Sequence, residues 1–199
     1  MVASLDDGRR LEARLLVGAD GANSNIRRLC GIELDGRDYR QSGLVTVVET
    51  EQRHGEVARQ RFLPEGPLAF LPLADGRCSI VWSQPTEAAA RRLELDDETF
   101  CAELTAASGG ILGQVLGCGA RAAFPLRSQQ ARSYIAPRVA LIGDAAHVIH
   151  PLAGQGANLG FLDATVLAEE IGRAYKAERD IGGLGTLRRY QRRRRGDNL

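Results

Sequence analysis

Hydrophobic and polar positions change their period several times along the chain. Leu11, Ala13, Leu15, Leu16 and Val17 predict a short strand over Leu11–Ala19 that runs into a Gly-Ala-Asp-Gly turn. A short helix follows, with Asn23 or Ser24 as its cap and Ile26 and Leu29 facing inward. Residues 40–50, RQSGLVTVVET, are β-branched and strand-like. Three further strands are expected at Val57–Phe62, Leu68–Leu73 and Cys78–Ser83. The turns Pro64-Glu65-Gly66-Pro67 and Ala74-Asp75-Gly76 separate them and predict an antiparallel meander. Thr86–Ala107 reads as a helix in two pieces, broken near Leu95-Asp96, with Asp96 or Asp97 capping the second. Arg121–Leu126 reads as one more strand, and Val139–Ile142 as a short β-branched run of the buried, parallel type. From Asn158, the residues Leu159, Leu162, Val166, Leu167 and Ile171 share one helical face until Gly182-Gly183-Leu184-Gly185 breaks it.

Two kinds of pattern therefore alternate. Residues 1–38 and 136–199 read as parts of one α/β layer, and 39–135 as an antiparallel-sheet domain inserted between them. The expected class is mixed α/β (α+β). The chain opens on a polar turn, Asp6-Asp7-Gly8-Arg9, between Val2-Ala3 and Leu11, as in the last hairpin of a sheet. It stops inside a charged helical pattern, Tyr190 to Leu199. Both ends read as those of an internal fragment of a longer protein.

Composition narrows the function classes. A 44% apolar and 26% charged content is that of a globular domain, and a formal net charge of +1 supplies no field for nucleic acid or acidic substrates. No apolar run approaches the roughly 20 residues that span a bilayer, and no secretory leader is legible. The four cysteines, Cys30, Cys78, Cys101 and Cys118, are scattered without a C-x-x-C pair and read as reduced thiols of a cytoplasmic protein.

The candidate chemistry lies in RVALIGDAAHVIHPLAGQGANLGFLDA, Arg138 to Ala164. Gly154, Gly156 and Gly160 are not a dinucleotide fingerprint: their spacing is G-x-G-x-x-x-G, and about ten residues separate them from the strand. Glycines at a helix start still admit a ligand close to the backbone, where unpaired N–H groups favour negative charge. Asp144, at a strand's carboxyl end, offers acceptors for ligand hydroxyls. A polyol carrying a ring that becomes anionic, such as reduced flavin, suits both features. The alternative is a plain strand-to-helix loop, with its glycines relieving sterics and Asp144 as a local cap.

These residues carry a resemblance. Gly143-Asp144-Ala-Ala-His-x-x-x-Pro151, followed by Gly154-Gln155-Gly156-x-Asn158-x-Gly160-x-x-Asp163-Ala164, resembles the second FAD motif of the aromatic-ring flavoprotein hydroxylases. Leu16-Val-Gly18-Ala-Asp20-Gly21-Ala-Asn-Ser24-x-Ile-Arg27 resembles that family's Asp-Gly motif. The middle segment, Phe62 to Leu73 and Ser79-Ile-Val-Trp82-Ser83, is most similar to the ubiquinone-biosynthesis 2-polyprenylphenol hydroxylases. The family's N-terminal G-x-G-x-x-G unit, which holds the ADP half of FAD, is absent.

The resemblance implies a partial FAD-binding, Rossmann-like layer with an inserted substrate domain. It implies an FAD-dependent monooxygenase that hydroxylates the ring of a polyprenylated phenol or quinol. NAD(P)H reduces the flavin, O2 adds at its C4a position, and the resulting hydroperoxide delivers one oxygen. It assigns cofactor binding to Asp20, Arg27, Gly143, Asp144, Pro151, Gly154, Gln155, Gly156, Ala157 and Asn158, and names no catalytic acid or base. The rival readings are a hydroxylase of a soluble aromatic, a prenyl reductase on the same scaffold, and a non-catalytic fragment or assembly module. Expected partners are the aromatic substrate and O2 but no nucleic acid, with a homo-oligomer and a biosynthetic complex left open.

His147 and His150 sit three apart, but no carboxylate or cysteine cluster accompanies them, so no metal is expected. Packing or hydrogen bonding beside the flavin loop is the expected role. His54 is expected on a surface turn, and Trp82 and Phe70 in ordinary sheet core rather than a substrate cavity. The Arg192–Arg195 run reads first as a solvated helix face. Its alternative is contact with anionic lipid, which suits a polyprenyl substrate and a location at the inner membrane.

Overall fold

The computed structural model describes residues 1–149 and 156–196. They form two compact units, one of residues 1–37 with 127–199, the other of 38–126. The sequence placed the divisions at 38/39 and 135/136. The strand Ala122–Ala131 contains the 126/127 division between the units.

In the first unit, Val2–Ser4 (β1) and Arg10–Glu12 (β2) form an antiparallel hairpin. Leu16–Gly18 (β3) is a separate strand. The single strand expected over Leu11–Ala19 is thus two, because β2 pairs with β1 while β3 pairs elsewhere. Asn25–Leu29 (α1) follows, capped by Ser24, whose Oγ accepts from the Arg27 amide at 2.9 Å. With only five residues, α1 turns Ile26 and Arg27 inward, and Leu29 is 87% exposed rather than buried.

Leu34–Thr50 (β4) begins before the stretch read as strand, and its first residues still belong to this unit. There the backbone lies close to the later strand: a Cβ on Gly36 would meet the Ser128 carbonyl oxygen at 2.8 Å. No side chain signals that pairing in advance.

The second unit contains the expected meander. Arg59–Leu63 (β5), Gly66–Pro72 (β6) and Cys78–Pro85 (β7) pair antiparallel in sequence order, and β7 then pairs with β4. The register places Leu44, Trp82 and Leu68 in one row and Thr46, Ile80 and Phe70 in the next. Because side chains alternate across a sheet, these rows share a face. Thr86–Leu93 (α2) and Asp97–Ser108 (α3) follow, the latter capped by Asp96 through the Thr99 amide at 2.7 Å. Phe100 and Leu104 of α3 close the core over Leu44, Leu68, Phe70, Ile80 and Trp82, each side chain worth about 1.5–3 kcal/mol when buried. Val115–Cys118 (β8), which the sequence pattern did not indicate, pairs with the end of β4.

His54 is a correction. It sits in a turn but is only 8% exposed; its Nδ1 accepts from the Glu56 amide at 2.9 Å, and its Nε2 faces the Leu73 carbonyl at 3.2 Å. A buried imidazole with both nitrogens engaged staples the loop to the meander.

The strand Ala122–Ala131 (β9) leads back to the first unit. Ile135–Ala136 (β10), Val139–Leu141 (β11) and β3 make a three-stranded sheet in the order β10-β11-β3, with β11 and β3 parallel. His147–Val148 (β12) pairs with the end of β9. Gly156–Lys176 (α4) and Leu184–Arg195 (α5) then pack on a core of Tyr134, Val139, Leu141, Val166, Leu167, Leu187 and Tyr190. The inward face of α4 is Asp163, Val166, Leu167, Glu170 and Ala174, so Leu162 is 45% exposed, against expectation. Two acids replace leucines on that face because α5 meets them with arginines. No helix among the described residues is long and apolar enough to cross a membrane.

Candidate functional site

The site is built where β3 and β11 end. Leu16 pairs with Val139, Val17 with Ala140 and Gly18 with Leu141; the Ile142 amide then donates to the Gly18 carbonyl at 2.9 Å. Parallel pairing brings the Asp20 turn and the Gly143-Asp144 turn to the same edge, although more than a hundred residues separate them in sequence. The carboxyl edge of parallel strands is where α/β layers bind ligands.

Each turn is held from within the unit. Asp20 accepts from the Ser24 hydroxyl and, at 3.1 Å, from the Ile26 amide. Burial works to raise its carboxyl, but these hydrogen bonds outweigh that and keep it below the usual range. Arg27, 5% exposed, donates to the Ala145 carbonyl at 2.9 Å and the Ala22 carbonyl at 2.8 Å. Its guanidinium therefore ties the two turns together.

Gly143 has φ +57° and opens a single 3₁₀ turn over Gly143–Ala145. Only glycine adopts this backbone without strain. Gly160, one turn into α4, packs against it: a Cβ on Gly160 would lie 3.2 Å from the Gly143 Cα. The motif glycine at 160 thus serves helix-to-turn contact. Gly156, with no described atom within 4 Å of where its Cβ would be, and the exposed Ala157 and Asn158 form the first turn of α4. That turn contains no acidic residue, so its N–H groups keep their positive character. Pro151, Gly154, Gln155 and His150 lie outside the described residues.

Behind the turns is a buried charge cluster. Asp163, fully buried, accepts from the Gly143 amide at 2.9 Å, faces His147 Nε2 at 2.6 Å and accepts from Arg194 Nε at 2.7 Å. Burial raises the Asp163 carboxyl, yet His147, Arg194 and the Gly143 amide together hold it below its ordinary value. The Tyr190 hydroxyl donates to the Leu141 carbonyl at 2.6 Å, and burial pushes its ionisation up. His147 thus hydrogen-bonds beside the turn. Arg194 corrects the solvated-face expectation for its run: it has no exposed surface.

Asp144 differs from the other acids here. It is exposed, at the strand end, and its carboxylate has no protein partner among the described residues. The arrangement can accept hydrogen bonds from ligand hydroxyls at Asp144 and donate them from the first turn of α4. Of the residues singled out in the sequence, Asp20, Arg27, Gly143, Asp144, Gly156, Ala157 and Asn158 all fall in this one unit. The sequence reading left Asp163 and Arg194 outside the site. The spacing Leu187, Tyr190, Arg194 along the buried face of α5 is the signal that points to the arginine.

The sequence pattern of the FAD binding domain family matches residues 2–197. The chain belongs to that family. It is 43% identical over 197 residues to the ubiquinone hydroxylase UbiL of Rhodospirillum rubrum, covering 99% of this chain and 46% of that protein. It is 39% identical over 195 residues to the 3-demethoxyubiquinol 3-hydroxylase of Escherichia coli, covering 98% and 50%. The chain spans about half the length of these curated relatives. Among solved structures it is similar to Pseudomonas aeruginosa PqsL in complex with 2-aminobenzoylacetate. That match has a TM-score of 0.80 at 31% identity and covers 99% of this chain and 55% of the other.

Proposed function

We propose that this FAD-binding chain cradles the flavin of a monooxygenase that hydroxylates the ring of a polyprenylated phenol or quinol in ubiquinone biosynthesis. The observation that carries the reading is the exposed Asp144 carboxylate, without a hydrogen-bond or ion-pair partner among the described residues, at the shared carboxyl edge of two parallel strands in the same unit as the first turn of a long helix. In this reading Asp144 accepts from the ribityl hydroxyls, and the N–H groups of Gly156, Ala157 and Asn158 face the electron-rich side of the ring. Asp20 and Arg27 hold the two turns in place. The resemblance also assigns cofactor binding to Pro151, Gly154 and Gln155, which lie outside the described residues. When bound, FAD supplies the redox chemistry, taking electrons from NAD(P)H and using O2 as the oxygen source. The chain's own residues orient it and stabilise negative charge. The similarity to UbiL and to the Escherichia coli hydroxylase supports the substrate class; the similarity to PqsL favours a soluble aromatic as the second reading.

A polyprenyl substrate is confined to lipid, so this reading includes peripheral contact with the inner membrane. The test is the full-length natural protein purified without added flavin. The expected outcome is a visible flavin spectrum, FAD released on denaturation, and NAD(P)H-dependent gain of one oxygen atom by a prenylated phenol. A colourless protein that takes up no added FAD overturns the proposal. Turnover of a soluble aromatic alone moves it to the second reading.

A further inference from the structure

Four consecutive arginines, Arg192 to Arg195, end α5, and their environments differ sharply. Arg192 is exposed. Arg193, partly exposed, reaches the surface Glu169 at 2.7 Å and the buried Glu170 at 2.9 Å, which Arg173 also holds at 3.1 Å. Arg194 is turned fully inside and donates to Asp163 Oδ1. The other oxygen of Asp163 holds the Gly143 amide and faces His147. On its far side the same turn is held by Arg27 through the Ala145 carbonyl. Asp144 lies between these two grips, and its carboxylate has no hydrogen-bond or ion-pair partner among the described residues.

A carboxylate rotates freely about its last bond unless both oxygens are engaged. Without Arg194, Asp163 keeps one occupied oxygen and loses the contact that fixes the plane of the group. The Gly143 amide then loses the fixed acceptor that suits its left-handed backbone. We propose that Arg194 is a positioning residue for the ligand turn: through Asp163 it fixes the Gly143 amide and hence the direction in which Asp144 presents its carboxylate. This rests on the flavin-cradling reading for the identity of the ligand. The grip on the turn itself is a property of the protein without ligand. Orienting groups behind a metal-binding side chain are commonly worth about 10–100-fold in affinity, and the same order is expected here.

The experiment compares Arg194→Met, Arg194→Lys and Arg193→Met with the wild type, all in the full-length natural protein. Two quantities are read: amide hydrogen exchange at Gly143 relative to the β11 strand amides without flavin, and FAD affinity by titration. Arg194→Met is expected to lose protection at Gly143 while β11 stays protected, and to bind FAD about tenfold more weakly or worse. Arg194→Lys is expected to recover part of both. Arg193→Met is expected to change neither, although it breaks a charge pair on the same helix. Should Arg194→Met fail to fold, Arg194→Lys against Arg193→Met carries the test. Gly143 protection or FAD affinity unchanged in the Arg194 variants, or the same loss in Arg193→Met, overturns the proposal. A wild type that binds no FAD overturns the flavin reading, and Gly143 exchange alone then decides this inference; a wild type that binds normally beside an equally competent Arg194→Met overturns this inference alone.

Discussion

Replacing Asp163 with asparagine perturbs the molecule at its most charged buried point. The carboxylate has three donors around it, at 2.6, 2.7 and 2.9 Å, and no exposed surface. Asparagine keeps one acceptor and turns an NH2 toward a group that already donates. If the amide oxygen stays on the Gly143 and His147 side, its nitrogen faces Arg194. A buried guanidinium then loses its counter-charge, and breaking a buried pair from one side costs about 3–5 kcal/mol. Against a typical total of about 5–15 kcal/mol, that is a large share. For a domain of this size each kcal/mol moves the melting temperature by about 2–4 °C, so a fall of roughly 6–20 °C is expected. Urea unfolding followed by circular dichroism measures it, with the slope unchanged and the midpoint lowered. The double variant Asp163→Asn/Arg194→Met should cost clearly less than the sum of the singles, because removing both partners leaves no stranded charge. A single-variant loss below about 1 kcal/mol, the range of an exposed pair, would refute the reasoning.

Other consequences follow from the same geometry. Gly143→Ala forces a side chain onto φ +57°, and should cost about 1–2 kcal/mol from backbone strain, read by the same urea curves. Acid should destabilise the first unit through Asp163: its folded value is depressed, so its contribution is complete above the unfolded value of about 3.9 and disappears as the pH falls through the folded one. The urea midpoint should therefore drop below about pH 4, and less steeply in Asp163→Asn, which has nothing left to titrate there. All four thiols are pushed up by burial, Cys118 to about 12 with Cys101 as its neighbour. Iodoacetamide at neutral pH should label the native protein slowly and all four cysteines after unfolding, as intact-mass spectrometry would show.

The legible and illegible parts of this molecule differ in the range of the interactions behind them. The meander was readable because its signals are local: Asp75-Gly76 punctuates two strands that pair across it. The parallel run at Val139–Leu141 was readable from its unbroken apolar residues. The caps at Ser24 and Asp96 follow from side chains that reach an amide three residues on. The strand Val115–Cys118 was missed because its ladder partner among the described residues is the distant end of β4. In the site, the acid at a strand end was visible, whereas the cluster behind it was not. Asp163 and Arg194 stand on different helices, and each reads as polar surface until the two are placed together. The arginine run hid its buried member because composition suggests solvent, while the helical phase set by Leu187 and Tyr190 points Arg194 inward.

On the proposed reading, the carboxyl edge of β3 and β11 binds FAD through Asp144. It is tested most directly by titrating FAD into the full-length protein and its Asp144→Ala variant, with thermal unfolding measured in parallel. Because the exposed Asp144 carboxylate makes no hydrogen bond or ion pair among the described residues, stability should stay within about 0.5 kcal/mol of wild type. The lost hydrogen bonds to a charged acceptor should weaken FAD binding by about 1.5–3 kcal/mol, roughly 10- to 150-fold. Equal FAD affinity in the two proteins would contradict the account.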